Sequence, residues 1–256
     1  MGSRDDVLAG GGTGGTTSSP MAFPIPVEEL GTVSIVPNGS FEAGSYHTFV
    51  LTYVAGKFGI DDSGSMRVCF RFASDQTRPQ FEDPKGPNYT TIEASNNAVL
   101  TYHYDPKGNV RPWDRTLYIK VVRGFLREGD KITITFGDRS GGSPGMRLQT
   151  FCEDSYEFHT LIDPIATYCY QPMPVQPVIK IIPGKPDRYL AVAPTIRAID
   201  ESFSIKFKGE DKWGNPSDQC DIQLYPRASH PVKNLPNMIS LKPGEFFGVI
   251  EGLLVA

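Results

Sequence analysis

Wherever this chain escapes proline and glycine, apolar and polar residues alternate with a period of two. Tyr46–Val54 (YHTFVLTYV) is β-branched or aromatic almost throughout. In Ser65–Ala73, Met66, Val68, Phe70 and Phe72 take one face, and Arg67, Cys69 and Arg71 the other. This is the period of a half-buried strand. Between such runs come turn-forming stretches, and the chain carries 22 prolines and 26 glycines in 256 residues. Both residues penalise a helix interior, glycine by about 1 and proline by about 3 kcal/mol. The fold class expected is all-β: a β-sandwich followed by a second, incomplete immunoglobulin-like β-domain.

Residues 1–27 read as a disordered tail, since Met1–Pro20 is Gly/Ser/Thr-rich with no packable face. The first sandwich is expected over residues 28–165. Residues 166–189, with Pro172, Pro174, Pro177 and Pro183, read as an extended connector that donates one strand, Val178–Ile182. The immunoglobulin-like unit is expected over 190–256 and reads as cut short, with about four strands where a sandwich needs about seven.

The stretch Ile132–Asp163 singles itself out. Ile132, Ile134 and Phe136 alternate with Thr133, Thr135 and Gly137; Met146, Leu148 and Thr150 alternate with Arg147, Gln149 and Phe151. The glycine-rich loop Arg139–Gly145 lies between. The expected result is a hairpin presenting Asp138, Arg139, Arg147 and Gln149 on one rim, with Arg111 and Trp113 reaching it from another loop. These six residues are the candidate binding residues, because arginine and tryptophan in loops suit an interaction anchor. The plainer alternative makes Trp113 a plug of the sandwich end with Arg111 stacked on it, and pairs Arg147 with Asp138 or Glu153.

No complete catalytic motif is visible. His47, His103, His159 and His230 have no metal-ligand spacing, and no serine sits in a G-x-S-x-G elbow. The loop Gly137–Gly145 lacks the G-K-[ST] ending of a phosphate loop. Cys69, Cys152, Cys169 and Cys220 form no C-x-x-C pair, so reduced thiols and one disulfide both stay open. The net charge of −4 and its even spread exclude a nucleic-acid stripe or a polybasic membrane patch. No run approaches the ~20 apolar residues of a membrane span. No secretory leader is recognised, which gives a cytoplasmic expectation.

The segments FGIDDSGSMRVCFRFASDQTRPQFEDP (58–84), YDPKGNVRPWDRTLYIKVVRGFLREGD (104–130), GDRSGGSPGMRLQTFCED (137–154) and GEDKWGNPSD (209–218) resemble the N-terminal part of a bacterial family. That family is catalogued as a domain of unknown function, and its C-terminal half is similar to metal hydrolases of the polymerase-and-histidinol-phosphatase (PHP-like) type. Asp211–Pro216 also resembles the D-x-x-G-N turn of bacterial immunoglobulin-like domains. The resemblance implies a non-catalytic accessory or binding portion of a metal-dependent hydrolase, with no cofactor of its own. A divalent metal is expected only in an absent catalytic domain, and the partner expected is that C-terminal hydrolase-like domain or subunit. The alternative is a stand-alone hydrolase with a site built by loops 75–88, 105–114 and 137–147.

Overall fold

The computed structural model of the chain describes residues 25–255; the expected tail falls outside them up to residue 24. The protein is all-β. The only helical turn among the described residues is a 3-10 turn at Val27–Glu29.

The first half opens with β1 (Gly31–Val36), β2 (Ser40–Glu42), β3 (Tyr46–His47) and β4 (Phe49–Ala55). β5 (Ser65–Phe70), β6 (Thr90–Ala94), β7 (Val99–Asp105), β8 (Arg115–Arg123) and β9 (Lys131–Phe136) follow. Next come β10 (Met146–Arg147), β11 (Glu153–Glu157), β12 (His159–Asp163), β13 (Gln171–Pro172) and β14 (Val178–Ile182). Two sheets enclose the core, in the orders β1-β4-β9-β6 and β13-β12-β5-β8-β7. β4 shows why alternation works: Phe49, Leu51, Tyr53 and Ala55 are buried while Val50, Thr52 and Val54 between them are only partly covered. Phe49 and Phe136 from one sheet meet Phe70 from the other around Phe158, with neighbouring ring centroids 5.6–5.8 Å apart. Offset and edge-on aromatic packing of this kind adds about 0.5–1.5 kcal/mol per pair to area burial.

One expectation is corrected here. Ile132–Phe136 and Met146–Thr150 do not form a hairpin. β9 pairs with β4 and β6, whereas Met146 and Arg147 pair with His47 and Tyr46 of β3. The ten residues from Gly137 to Met146 use their turns to carry the chain to another edge. The run Thr90–Tyr104 is divided at Asn96, whose Oδ1 accepts the Ala98 N–H at 2.9 Å, so that β6 joins one sheet and β7 the other.

Val178–Ile182 is a strand, as expected, and it pairs antiparallel with β11 and parallel with β2. Met173, Ile179 and Ile181 lie in the core cluster of the first sandwich. So does Ile25, whose backbone N–H and C=O both bond the Gln171 amide, at 3.3 and 3.0 Å.

Beyond Pro183 a second, smaller core gathers Phe207, Cys220, Leu241, Ile250 and Leu253. Its strands are β15 (Arg188–Val192), β16 (Phe203–Glu210), β17 (Ile222–Leu224), β18 (Val232–Lys233), β19 (Ile239–Leu241) and β20 (Gly248–Val255). They form the sheet β15-β16-β20-β18 and the pair β17-β19, all antiparallel.

Candidate functional site

The turn Asp211–Asn215 joins the two cores. Asp211 is buried, and one carboxylate oxygen accepts the backbone N–H of Trp213 and of Asn215, each at 2.9 Å. The other accepts the Asn215 side-chain amide at 2.9 Å and the Gly184 N–H at 3.1 Å. Burial alone would raise the Asp211 pKa; the donors from Asn215, Gly184 and Trp213 outweigh it and hold the carboxyl below its usual value. Gly214 takes φ +93°, the left-handed conformation that closes the turn at no Cβ cost.

The closed turn then grips the first sandwich. Trp213 Nε1 donates to Ala43 O at 3.0 Å. Asn215 Nδ2 donates to Thr150 O at 2.9 Å, and Asn215 Oδ1 accepts the Cys152 N–H at 3.2 Å. Gly44, at φ +69°, leaves the room that the indole fills: a Cβ there would stand 2.5 Å from Trp213 Nε1.

Beside this junction lies a cleft of about 690 Å³ with walls from both halves. Ile181 and Ile182 of β14 and the following Pro183 line it, with Val192 and Phe207 from the second sheet, and Phe246 and Phe247 from the loop before β20. Both phenylalanines stand exposed at its lip. Charged groups ring it: Lys180 pairs with Asp154 at 2.8 Å and Lys208 with Glu210 at 2.8 Å. Among the described residues Lys206 has no carboxylate within salt-bridge reach. Cys152 also lines the cleft; burial, then the charges of Asp211, Asp154 and Asp218, push its thiol up to about 11. Clefts of this size between two folded units are the common location of ligand sites.

The six residues expected on one rim are distributed over three places. Trp113 stacks flat on His159, with centroids 4.7 Å apart and planes at 16°. Arg71, and not Arg111, lies over the Trp113 ring, at 5.6 Å. Arg111 covers Phe72 and pairs with Asp114 at 3.4 Å. Arg71 also pairs with Glu153 at 2.9 Å, and Glu153 accepts the Gln149 amide at 2.9 Å. Arg71 and Glu153, which sequence reasoning missed, therefore link Trp113 to the buried Gln149.

Arg147 pairs with neither Asp138 nor Glu153. It bonds Asp75, through Nη2 to the carbonyl at 2.5 Å and Nη1 to the carboxylate at 3.6 Å, and its guanidinium carbon stands 6.0 Å from the Trp213 ring. Asp75 also takes both Thr150 donors, at 2.8 and 2.9 Å. No periodic signal marked Asp75, which sits in the proline-rich loop.

Asp138 and Arg139 fasten their loop to neighbouring strands. Asp138 accepts from Ser140 N–H at 2.9 Å and Thr91 Oγ1 at 3.0 Å, and the Ser140 backbone bond heads the causes that lower its pKa. Arg139 Nη2 donates to Tyr46 O at 2.8 Å.

The loops 75–88 and 137–147 do pack together, with Ser143 Oγ donating to Gly86 O at 2.8 Å and the Asn88 N–H to Gly145 O at 2.9 Å. Among the described residues, no group of three His, Cys, Asp or Glu side chains is placed to hold a metal ion, and no helix is long and apolar enough to cross a membrane. All four cysteines are free; Cys69 and Cys220 are buried, Cys152 and Cys169 exposed. No family model matches the chain, and no curated protein matches it.

Proposed function

We propose that this chain is a non-catalytic binding portion of a bacterial metal-dependent hydrolase, and that the cleft between its two cores receives the hydrolase-like domain or subunit. The observation that carries this reading is the Asp211–Asn215 turn. By fastening one core to the other through Ala43, Thr150, Cys152 and Gly184, it holds the two walls of the cleft in place before any partner arrives. A preformed surface loses less freedom on binding than a mobile one. The exposed Phe246 and Phe247 supply aromatic anchors, and Lys206 supplies a charge free to meet a partner carboxylate. The second core reads in this light as immunoglobulin-like, in keeping with its antiparallel sheet and with the resemblance of its D-x-W-G-N turn. The divalent metal belongs to the partner.

The test is association with the hydrolase-like portion of the resembled family, expressed separately and followed by analytical ultracentrifugation. A Kd below about 100 μM, weakened at least tenfold by Phe247→Asp, is expected for a modest interface. No association at that concentration, or association indifferent to Phe247→Asp, refutes the assignment.

A further inference from the structure

The outer face of the five-stranded sheet carries a second concave site, which shares no lining residue with the cleft. Arg67 stands between Met66 and Val68, both buried in the core, so its side chain leaves by the opposite face. The register sets Tyr118 of β8 beside Arg67, and His103 of β7 beside Tyr118. The loop before β13 then folds Tyr170 over the guanidinium, whose carbon lies 3.7 Å from the Tyr170 ring centroid and 5.8 Å from that of Tyr118. Tyr170 is held there by its hydroxyl against Ser65 Oγ at 2.7 Å.

The loop is fastened at some cost. Ala166 and Tyr168 both have left-handed backbones, at φ 55° and 61°, which non-glycine residues rarely adopt. The buried Asp163 holds them by accepting Thr167 N–H and Oγ1, each at 2.9 Å, and Tyr168 N–H at 2.6 Å. A backbone kept in such a conformation by a dedicated carboxylate places Tyr168 and Tyr170 where a plain connection would not.

What the tyrosines enclose is an unspent donor set. Stacking covers the faces of a guanidinium and leaves its N–H edges available. Among the described residues no acceptor takes a hydrogen bond from Arg67, although its Nε is wholly buried. Arg67, His103, Tyr118, Tyr168 and Tyr170 border a cavity of about 230 Å³. Asp105, also on its border, forms no hydrogen bond or ion pair with Arg67; its Oδ1 accepts the Lys107 N–H at 2.8 Å.

We infer that this cavity binds a small planar monocarboxylate, its carboxylate on the Arg67 edge and its carbon body against the tyrosine rings. Bidentate pairing with a carboxylate engages the terminal Nη1 and Nη2 groups, which the described residues leave unbonded. Among the described residues Arg67 is the one fixed cation on the border and Asp105 sets a negative charge beside it, so a second negative charge on the ligand would meet no cation and a phosphate dianion is disfavoured. The site is separate from the cleft, and the two stand or fall independently.

The probe is sodium benzoate, titrated calorimetrically into the full chain at neutral pH, with benzyl alcohol and inorganic phosphate as comparisons. Saturable benzoate binding is expected, with both comparison compounds weaker by about tenfold or more. Arg67→Gln should weaken benzoate by a similar factor. Tyr168→Ser should also weaken it, and because that ring is exposed its loss leaves the fold intact; this variant decides the matter if Arg67→Gln does not fold. Absence of saturable binding up to about 10 mM, the top of the useful millimolar range, overturns the assignment. So does wild-type affinity in both variants, or phosphate binding tighter than benzoate.

Discussion

Trp213 Nε1 donates to the Ala43 carbonyl at 3.0 Å across 170 positions of sequence, and the indole sits on Gly44. One side chain thus makes the stability of the second core depend on a bend in the first. Trp213→Phe removes the hydrogen bond and keeps the ring, and should cost about 1 kcal/mol. Gly44→Val puts a β-branched residue at φ +69° and drives its Cβ into the indole, so it should cost more, about 3 kcal/mol. Urea unfolding of both variants checks the order; equal midpoints would mean that the contact is incidental.

Asp211 makes that junction acid-sensitive. Its folded pKa lies below the usual carboxylate value, so its contribution is complete above the unfolded pKa of about 4 and is lost as pH falls through the folded pKa. Asp211→Asn removes the charge but keeps one acceptor, and should destabilise the chain at neutral pH by about 2 kcal/mol. The deficit relative to wild type should shrink below pH ~4. A deficit that is constant down to pH ~2 would assign the effect to shape and not to charge.

Arg147→Ala should lower stability by about 1 kcal/mol, because the Arg147–Asp75 pair is partly exposed and solvent-screened. Asp75→Ala should cost more, since Asp75 also holds both Thr150 donors. A double-mutant cycle separates the shared part, and a coupling of zero would leave Arg147 free for a binding role.

Thiol labelling under native conditions should divide the cysteines. Cys69 and Cys220 wait for unfolding. Cys152, pushed up to about 11, exposes only roughly a thousandth of itself as thiolate at pH 8, so its labelling should be slow and accelerate steeply with pH. Cys152→Ser should leave the rapid phase, assigned to Cys169, unchanged. Rapid native labelling of Cys152 at pH 8 would contradict the raised thiol pKa that desolvation and its acidic neighbours give it.

The strands were legible where one face is buried and the other more open, as in β4, β9 and β16, because burial on a pleated surface writes a period of two. Partner choice was not. β9 and β10 look like the arms of a hairpin, but Gly137–Gly145 is long enough to carry the chain elsewhere, and Met146 is buried against β3 instead. Among the candidate residues, Trp113, Arg147 and Gln149 do belong to packed polar networks. Arg71 and Asp75 lie far in sequence from Trp113 and Arg147, and only long-range packing brings them near, while Glu153 bonds Gln149 from four residues away. The D-x-W-G-N string was recognisable as a turn, but its grip on Ala43 and Thr150 depends on how the two cores meet.

β14 leads directly to Pro183 and Gly184, where the Asp211 turn takes hold. It is hydrogen-bonded on both edges, to β11 and to β2. A pull on the far half of the molecule would therefore load β14 along its own axis, with its ladder bonds in shear and sharing the force. They would not open one at a time like a zipper. The segment between the two cores should behave as a mechanical clamp: under an applied load, the small second core should unravel before the tether at its root gives way.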